Sequence, residues 1–144
     1  MKFQRREKSK NPIDIYGVGI VDTGAMFKQY DMNTSILELE LIADGEPVHL
    51  TNEDIYLTVK SSTEINTDEL KVRARKINDN LLEIYLSEDI LKNAGDMIAE
   101  ILIVDVEGEQ RLTSESFTFK IEPSLTPNMK NLNFEKAFEK GDDE

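Results

Sequence analysis

Cysteine is absent from the 144 residues, so neither a disulfide framework nor a thiolate metal site can form. That lack fits a chain made in a reducing cytoplasm. Tryptophan is absent too, and His49 is the one histidine. A metal site with two histidines is therefore excluded, and any His-dependent triad has to assemble around His49. Val48 and Leu50 flank it on an alternating stretch, which points it to the opposite face as an exposed or hydrogen-bonded structural residue. Basic residues are scarce: 17 Lys and Arg face 29 Asp and Glu, for a formal net charge of -12. Such a surface repels nucleic acid, whose binding rests on neutralising phosphates with Lys and Arg, and disfavours anionic membranes. It promotes solubility and suits a basic partner. No hydrophobic run approaches the roughly 20 residues needed to span a bilayer.

The length is that of one domain, enough to bury a continuous core without metals or disulfides. Residues 1–12 read as a flexible basic arm, with Lys2, Arg5 and Arg6 near its start. No apolar segment follows before Asn11-Pro12, so it is not read as a signal peptide. From Ile13 the apolar period is two almost everywhere, the signal of strands. A first stretch over Ile13 to Val21 is interrupted by Gly17 and Gly19, and Asp22-Thr23-Gly24 closes it. After Asn33-Thr34-Ser35, Leu37, Leu39 and Leu41 share one face, while Glu38 and Glu40 share the other. Asp44-Gly45 is a strong hairpin turn, and Val48 and Leu50 start the return strand.

Ile55 to Val59, Lys71 to Ile77 and Leu82 to Leu86 are further strands, with a polar loop over Ser61 to Glu69 and a turn at Asn78-Asp79-Asn80. Ser87 caps a short helix that carries Ile90, Leu91 and Ala94 and ends at Gly95. Met97 to Val106 is a long buried strand, Glu107-Gly108 turns the chain, and Arg111 to Glu122 returns as the last strand before Pro123. Turn signals every eight to twelve residues or so imply an all-β fold. The expected architecture is an antiparallel β-sandwich over residues 13–123, with one short helix at about 87–95 and flexible termini. Residues 124–144 read as an acidic C-terminal tail or a short helix.

The residues do not assemble a catalytic or metal-binding constellation. Gly17-Val18-Gly19 lacks the third glycine of a dinucleotide loop and precedes no helix. Ser114 and Ser116 lack the glycines of a nucleophile elbow. The carboxylates, including Asp105 and Glu107, read as solvated, and no calcium loop is present. Neither an enzymatic role nor a cofactor is expected. Asn33-Thr34-Ser35 matches a glycosylation sequon, but Asn33 reads as a turn former. The candidate partner-contact residues are Phe27, Tyr30 and Met32, in the loop before the second strand, and Leu132, Phe134 and Phe138 near the C-terminus, because aromatic and Met side chains are enriched at interface centres.

The succession is familiar: Gly17-Val18-Gly19, a polar loop into Asp31-Met32-Asn33-Thr34-Ser35, an alternating strand, the Asp44-Gly45-Glu46-Pro47 hairpin, the Ser87 to Gly95 helix and a closing Phe117-Thr118-Phe119 strand. It resembles the N-terminal domain of the upper baseplate protein family of long-tailed bacteriophages, over about Ile13 to Glu122. The resemblance implies a β-sandwich that anchors to the tail baseplate of the virion, trimeric assembly, and tail fibres or receptor-binding proteins as partners. It implies a protein made in the bacterial host cytoplasm. Family members continue into a helical or fibrous region and a distal domain, whereas this sequence ends at Glu144. A carbohydrate-binding sandwich at the host surface is the alternative, though Tyr16, Tyr30, Tyr56 and Tyr85 are dispersed. A small hydrolase built on His49 or on a carboxylate pair ranks third.

Overall fold

Leu37, Leu39 and Leu41 are fully buried, and Glu38 and Glu40 between them are half-buried, so the alternation of the sequence is also that of the backbone. The computed structural model describes residues 2–61 and 70–128. Among these residues, twelve strands and one helical turn form two stacked sheets. The first sheet holds β1 (Arg5–Lys8), β2 (Ile13–Asp14), β4 (Ser35–Ala43), β5 (Glu46–Pro47), β8 (Arg75–Lys76) and β9 (Leu81–Tyr85). The second holds β3 (Ile20–Lys28), β6 (Asp54–Ser61), β7 (Leu70–Arg73), β10 (Gly95–Asp105), β11 (Gln110–Thr113) and β12 (Ser116–Glu122).

The inner faces make one core. Leu37, Leu39 and Leu41 of β4 and Leu82 and Ile84 of β9 meet Leu57 and Val59 of β6, Met97 and Ile101 of β10, and Phe117 and Ile121 of β12. Each fully buried Leu or Ile contributes roughly 1.5–3 kcal/mol relative to exposure. The helical turn α1 (Glu88–Leu91) closes one end, with Ile90 and Leu91 fully buried. Ser87 caps it by accepting from the Ile90 N–H. It is shorter than the expected 87–95 helix, because the chain leaves it at Lys92 and turns through Gly95, at φ 117°, into β10.

The all-β sandwich stands, but its sheets are mixed and not purely antiparallel. β1 and β2 pair in parallel with β4, and β3 pairs in parallel with β12. The N-terminal chain thus lines an edge of each sheet in turn, crossing from one to the other between β2 and β3. At the other margin, β7 pairs with β6 in the second sheet and β8 with β9 in the first. The switch falls at buried Ala74, whose N–H donates to the Ile55 carbonyl at 2.8 Å. Strands that change sheet in this way join the layers at their corners.

The expected flexible arm is corrected by β1. Arg5 to Lys8 pair with Ser35 to Glu38, and the Ser9 N–H donates to the Glu38 carbonyl at 2.9 Å. Asp22-Thr23-Gly24 likewise does not end a strand but forms a bulge inside β3. Between the pairs Asp22–Thr118 and Met26–Lys120, β3 advances four residues while β12 advances two. Gly24 takes a φ of 71° there, and the fully buried Thr23 donates its hydroxyl to the Thr118 carbonyl at 2.7 Å. Val48 and Leu50 are buried as expected but lie beyond the two-residue strand β5. The Arg111–Glu122 return is broken at Ser114-Glu115, where the Ile101 N–H donates to the Ser114 hydroxyl at 2.9 Å.

Candidate functional site

The strand directions give the sandwich two ends. One carries α1 and the connection 29–34. The other collects the connections 15–19, 44–45, 48–53, 77–80, 106–109 and 114–115. Within this second set stand six carboxylates, Asp44, Glu53, Asp79, Glu107, Glu109 and Glu115, and neither Lys nor Arg. Asp44 and Gly45, both at positive φ (51° and 85°), make a tight type I′ hairpin. An open cleft of about 790 Å³ lies here, between Tyr16, His49, Glu53, Asp105 and Arg111.

Residues 15–19 root firmly and end openly. The Asp14 backbone is clasped by Glu115: the Glu115 N–H donates to the Asp14 carbonyl at 3.0 Å, and the Asp14 N–H donates to Glu115 Oε1 at 2.9 Å. The Tyr16 N–H donates to Asp14 Oδ1 at 2.8 Å. Gly17 fits this clasp: a Cβ there would sit 2.5 Å from Glu115 Oε2, so the carboxylate would have to shift to admit one. Beyond it, Val18 is 100% exposed and Ile20 69%. Tyr16, Ile77 and Val106 are exposed at the same end. Large exposed aliphatic side chains grouped at one end mark an interaction surface more than scattered ones do.

His49 is exposed at this end, with Nδ1 3.0 Å from Asp79 Oδ2. Asp105 accepts from the Gly108 N–H at 3.1 Å and so shapes the β10–β11 turn. Among the described residues, no group of three His, Asp or Glu side chains is placed to hold a metal ion.

The residues expected to contact partners do not come together. Phe27 is 1% exposed and packs edge-to-face on Phe119, with ring centroids 6.0 Å apart. It is a core residue, because β3 extends through it and its position on the inner face follows Ala25. Tyr30 and Met32 lie at the α1 end: Tyr30, at φ 68°, donates its N–H to the Leu91 carbonyl at 3.0 Å, and Met32 is exposed. Leu132, Phe134 and Phe138 fall outside the described residues. Asn33, at φ 59°, shapes the turn before β4. The sequence does not mark the Tyr16–Ile20 segment as a surface, because Val18 and Ile20 read as part of a strand. The signal was its two glycines, which interrupt pairing and let alternate side chains stay outside.

Three comparisons bear on identity. No curated protein sequence matches the chain. The solved structure of the N-terminal domain of phage TP901-1 ORF48 is similar to it in fold, with a TM-score of 0.53 at 14% identity, over 84% of this chain and 98% of that one. The family profile described as the BppU N-terminal domain matches residues 7–143. With that match running through nearly the whole sequence, the chain belongs to the BppU N-terminal domain family, the upper baseplate proteins of bacteriophages that its motif order resembles.

Proposed function

We propose that this domain is an assembly module of a phage tail baseplate, acting by binding and not by turnover. Family membership over residues 7–143 is the observation that carries the reading. The build of the domain is consistent with it: both lateral margins are joined by chain that crosses between the sheets, leaving end loops as natural contact points. A standard protein interface buries about 1,600 Å² in total, within reach of one end and its flanks. The partners would be other tail proteins, among them fibres or receptor-binding proteins, and the assembled form a trimer in the virion tail, after synthesis in the bacterial cytoplasm. Met32 and Tyr30 at the α1 end would then be free for a second contact.

The carbohydrate reading draws less support. Tyr16 and Tyr30 sit at opposite ends, while Tyr56 lies on the second sheet and Tyr85 on the first, so they form no shared platform. The test is size-exclusion chromatography with light scattering on the full chain, alone and mixed with each purified tail-tip protein of the same phage. Co-elution with a tail-tip protein is expected. A chain that elutes alone from every mixture would overturn the reading.

A further inference from the structure

We infer that the Tyr16–Ile20 segment is the docking tip of this domain, and that its partner is a protein presenting an apolar recess rimmed by Lys and Arg. The inference rests on the assembly reading above and gives it a location and a partner chemistry.

Three observations converge on the segment. First, Tyr16, Val18 and Ile20 are 59%, 100% and 69% exposed, three apolar side chains within five residues. Leaving them in water has no folding benefit, since hydrophobic stabilisation comes from burial. Second, the root is rigid while the tip is unencumbered. Asp14 and Glu115 lock the segment between the two sheets, so little ordering entropy would be lost on binding. Gly17 sits against the Glu115 clasp, but Gly19 answers to nothing among the described residues: a Cβ there meets none of their atoms within 4 Å, and its φ is not positive. A glycine free of internal demands between two exposed aliphatics suits close approach of another backbone.

Third, the charge around the tip selects the partner. The connections at this end carry six carboxylates, and Asp105 adds a seventh. Against them stand two flanking cations, Lys76 on the Leu50 and Thr51 carbonyls and Arg111 in the cleft beside Tyr16, so the rim is net acidic in a chain of net charge -12. A second copy would bring the same acidic rim against this one and be repelled, as like charges across an interface are. A basic rim would be steered in and seated. Leu125, fully exposed at the α1 end, lacks this setting, because Ser124, Thr126 and two prolines surround it.

The test compares the wild-type chain with Val18→Lys and Leu125→Lys in biolayer interferometry against each purified tail-tip protein of the same phage. Unchanged melting temperatures confirm intact folds, and both side chains are fully exposed. Val18→Lys is expected to weaken association by about ten-fold or more, Leu125→Lys to leave it unchanged, and wild-type association to weaken as salt rises. If the wild type binds and Val18→Lys binds equally well, the docking tip is wrong while the assembly role stands. If the wild type binds no tail-tip protein, both fall. If the wild type self-associates and Val18→Lys abolishes that, the occupant is a second copy and the basic-rimmed partner is overturned.

Discussion

Arg6 and Glu83, 77 positions apart in the sequence, meet with Nη1 2.7 Å from Oε2 on the outer face of the first sheet. Arg6 also bonds Glu38, and Arg75 approaches Glu83 from the far side at 3.8 Å. The row therefore runs across β1, β4, β9 and β8 as cation, anion, anion, cation. Lys8 repeats the step with Glu40 at 3.0 Å. Hydrogen bonds to Glu83 and then to Glu38 raise the Arg6 guanidinium above its ordinary range. A group raised on folding contributes fully below its unfolded value and loses its contribution only as pH rises through the folded one. For an arginine that window is strongly alkaline, so acid leaves the arginine's side of the pair intact.

Arg6→Ala should lower the melting temperature by several degrees, since it removes the clamp of β1 and strands the buried Glu83 with Arg75 alone. Arg6→Ala with Glu83→Ala should lose less than the sum of the two single changes, because the unpaired charge goes too. Thermal melts by circular dichroism decide it. An Arg6→Ala chain that melts like the wild type would mean that β1 does not hold to β4 in solution.

This network also shows what was hidden in the sequence. Strands with an apolar face announced themselves: β4, β6, β10 and β12 were all legible, as were the Asp44-Gly45 turn and the Ser87 cap. β1 has no apolar residue, so its period says nothing. Its pairing is specified at a distance, by cations at Arg6 and Lys8 that match anions at Glu38 and Glu40 with the same spacing of two. Parallel pairing was equally silent, because alternation within a strand is the same whichever way its neighbour runs. The apolar tip was misread for a related reason: a single sequence reports which side chains are apolar, but not which of them the chain leaves uncovered.

Gly24 and Gly19 should part company on substitution. At Gly24 the φ of 71° opposes an L-residue, and the Lys10 side chain, 2.7 Å from where a Cβ would sit, would have to move aside. Gly24→Ala should cost about 1–2 kcal/mol from the backbone alone. Gly19→Ala should be neutral or slightly stabilising, since it only narrows the unfolded ensemble. Urea denaturation of both variants measures the difference, and equal losses would contradict the bulge in β3.

Phe27 divides a core role from a surface one. Buried on the inner face of β3 against Phe119, it should cost about 3–5 kcal/mol when cut to Ala. Phe27→Leu should keep most of that stability, as it retains much of the volume. If Phe27→Ala instead melted normally and lost only partner binding, its placement in the core would be wrong.

Ser35 offers the opposite outcome, a deletion that helps. It opens β4, is 1% exposed, and its Oγ is a buried side-chain atom with no hydrogen-bond partner among the described residues. Its backbone is well used, since the Leu86 N–H donates to the Ser35 carbonyl at 2.9 Å and Arg5 pairs alongside. Only the hydroxyl is stranded, and a buried polar group left unpaired destabilises by roughly 1–3 kcal/mol. Ser35→Ala removes that penalty, keeps the backbone bonds and leaves a gap of one oxygen, so a net gain on the order of 1 kcal/mol is expected. Ser35→Val should do worse than Ala, because the position is already closed on both sides and extra methyls would overpack it. Denaturation midpoints of the two variants against the wild type test this ordering, and a clear loss in Ser35→Ala would mean that the hydroxyl finds a partner in solution.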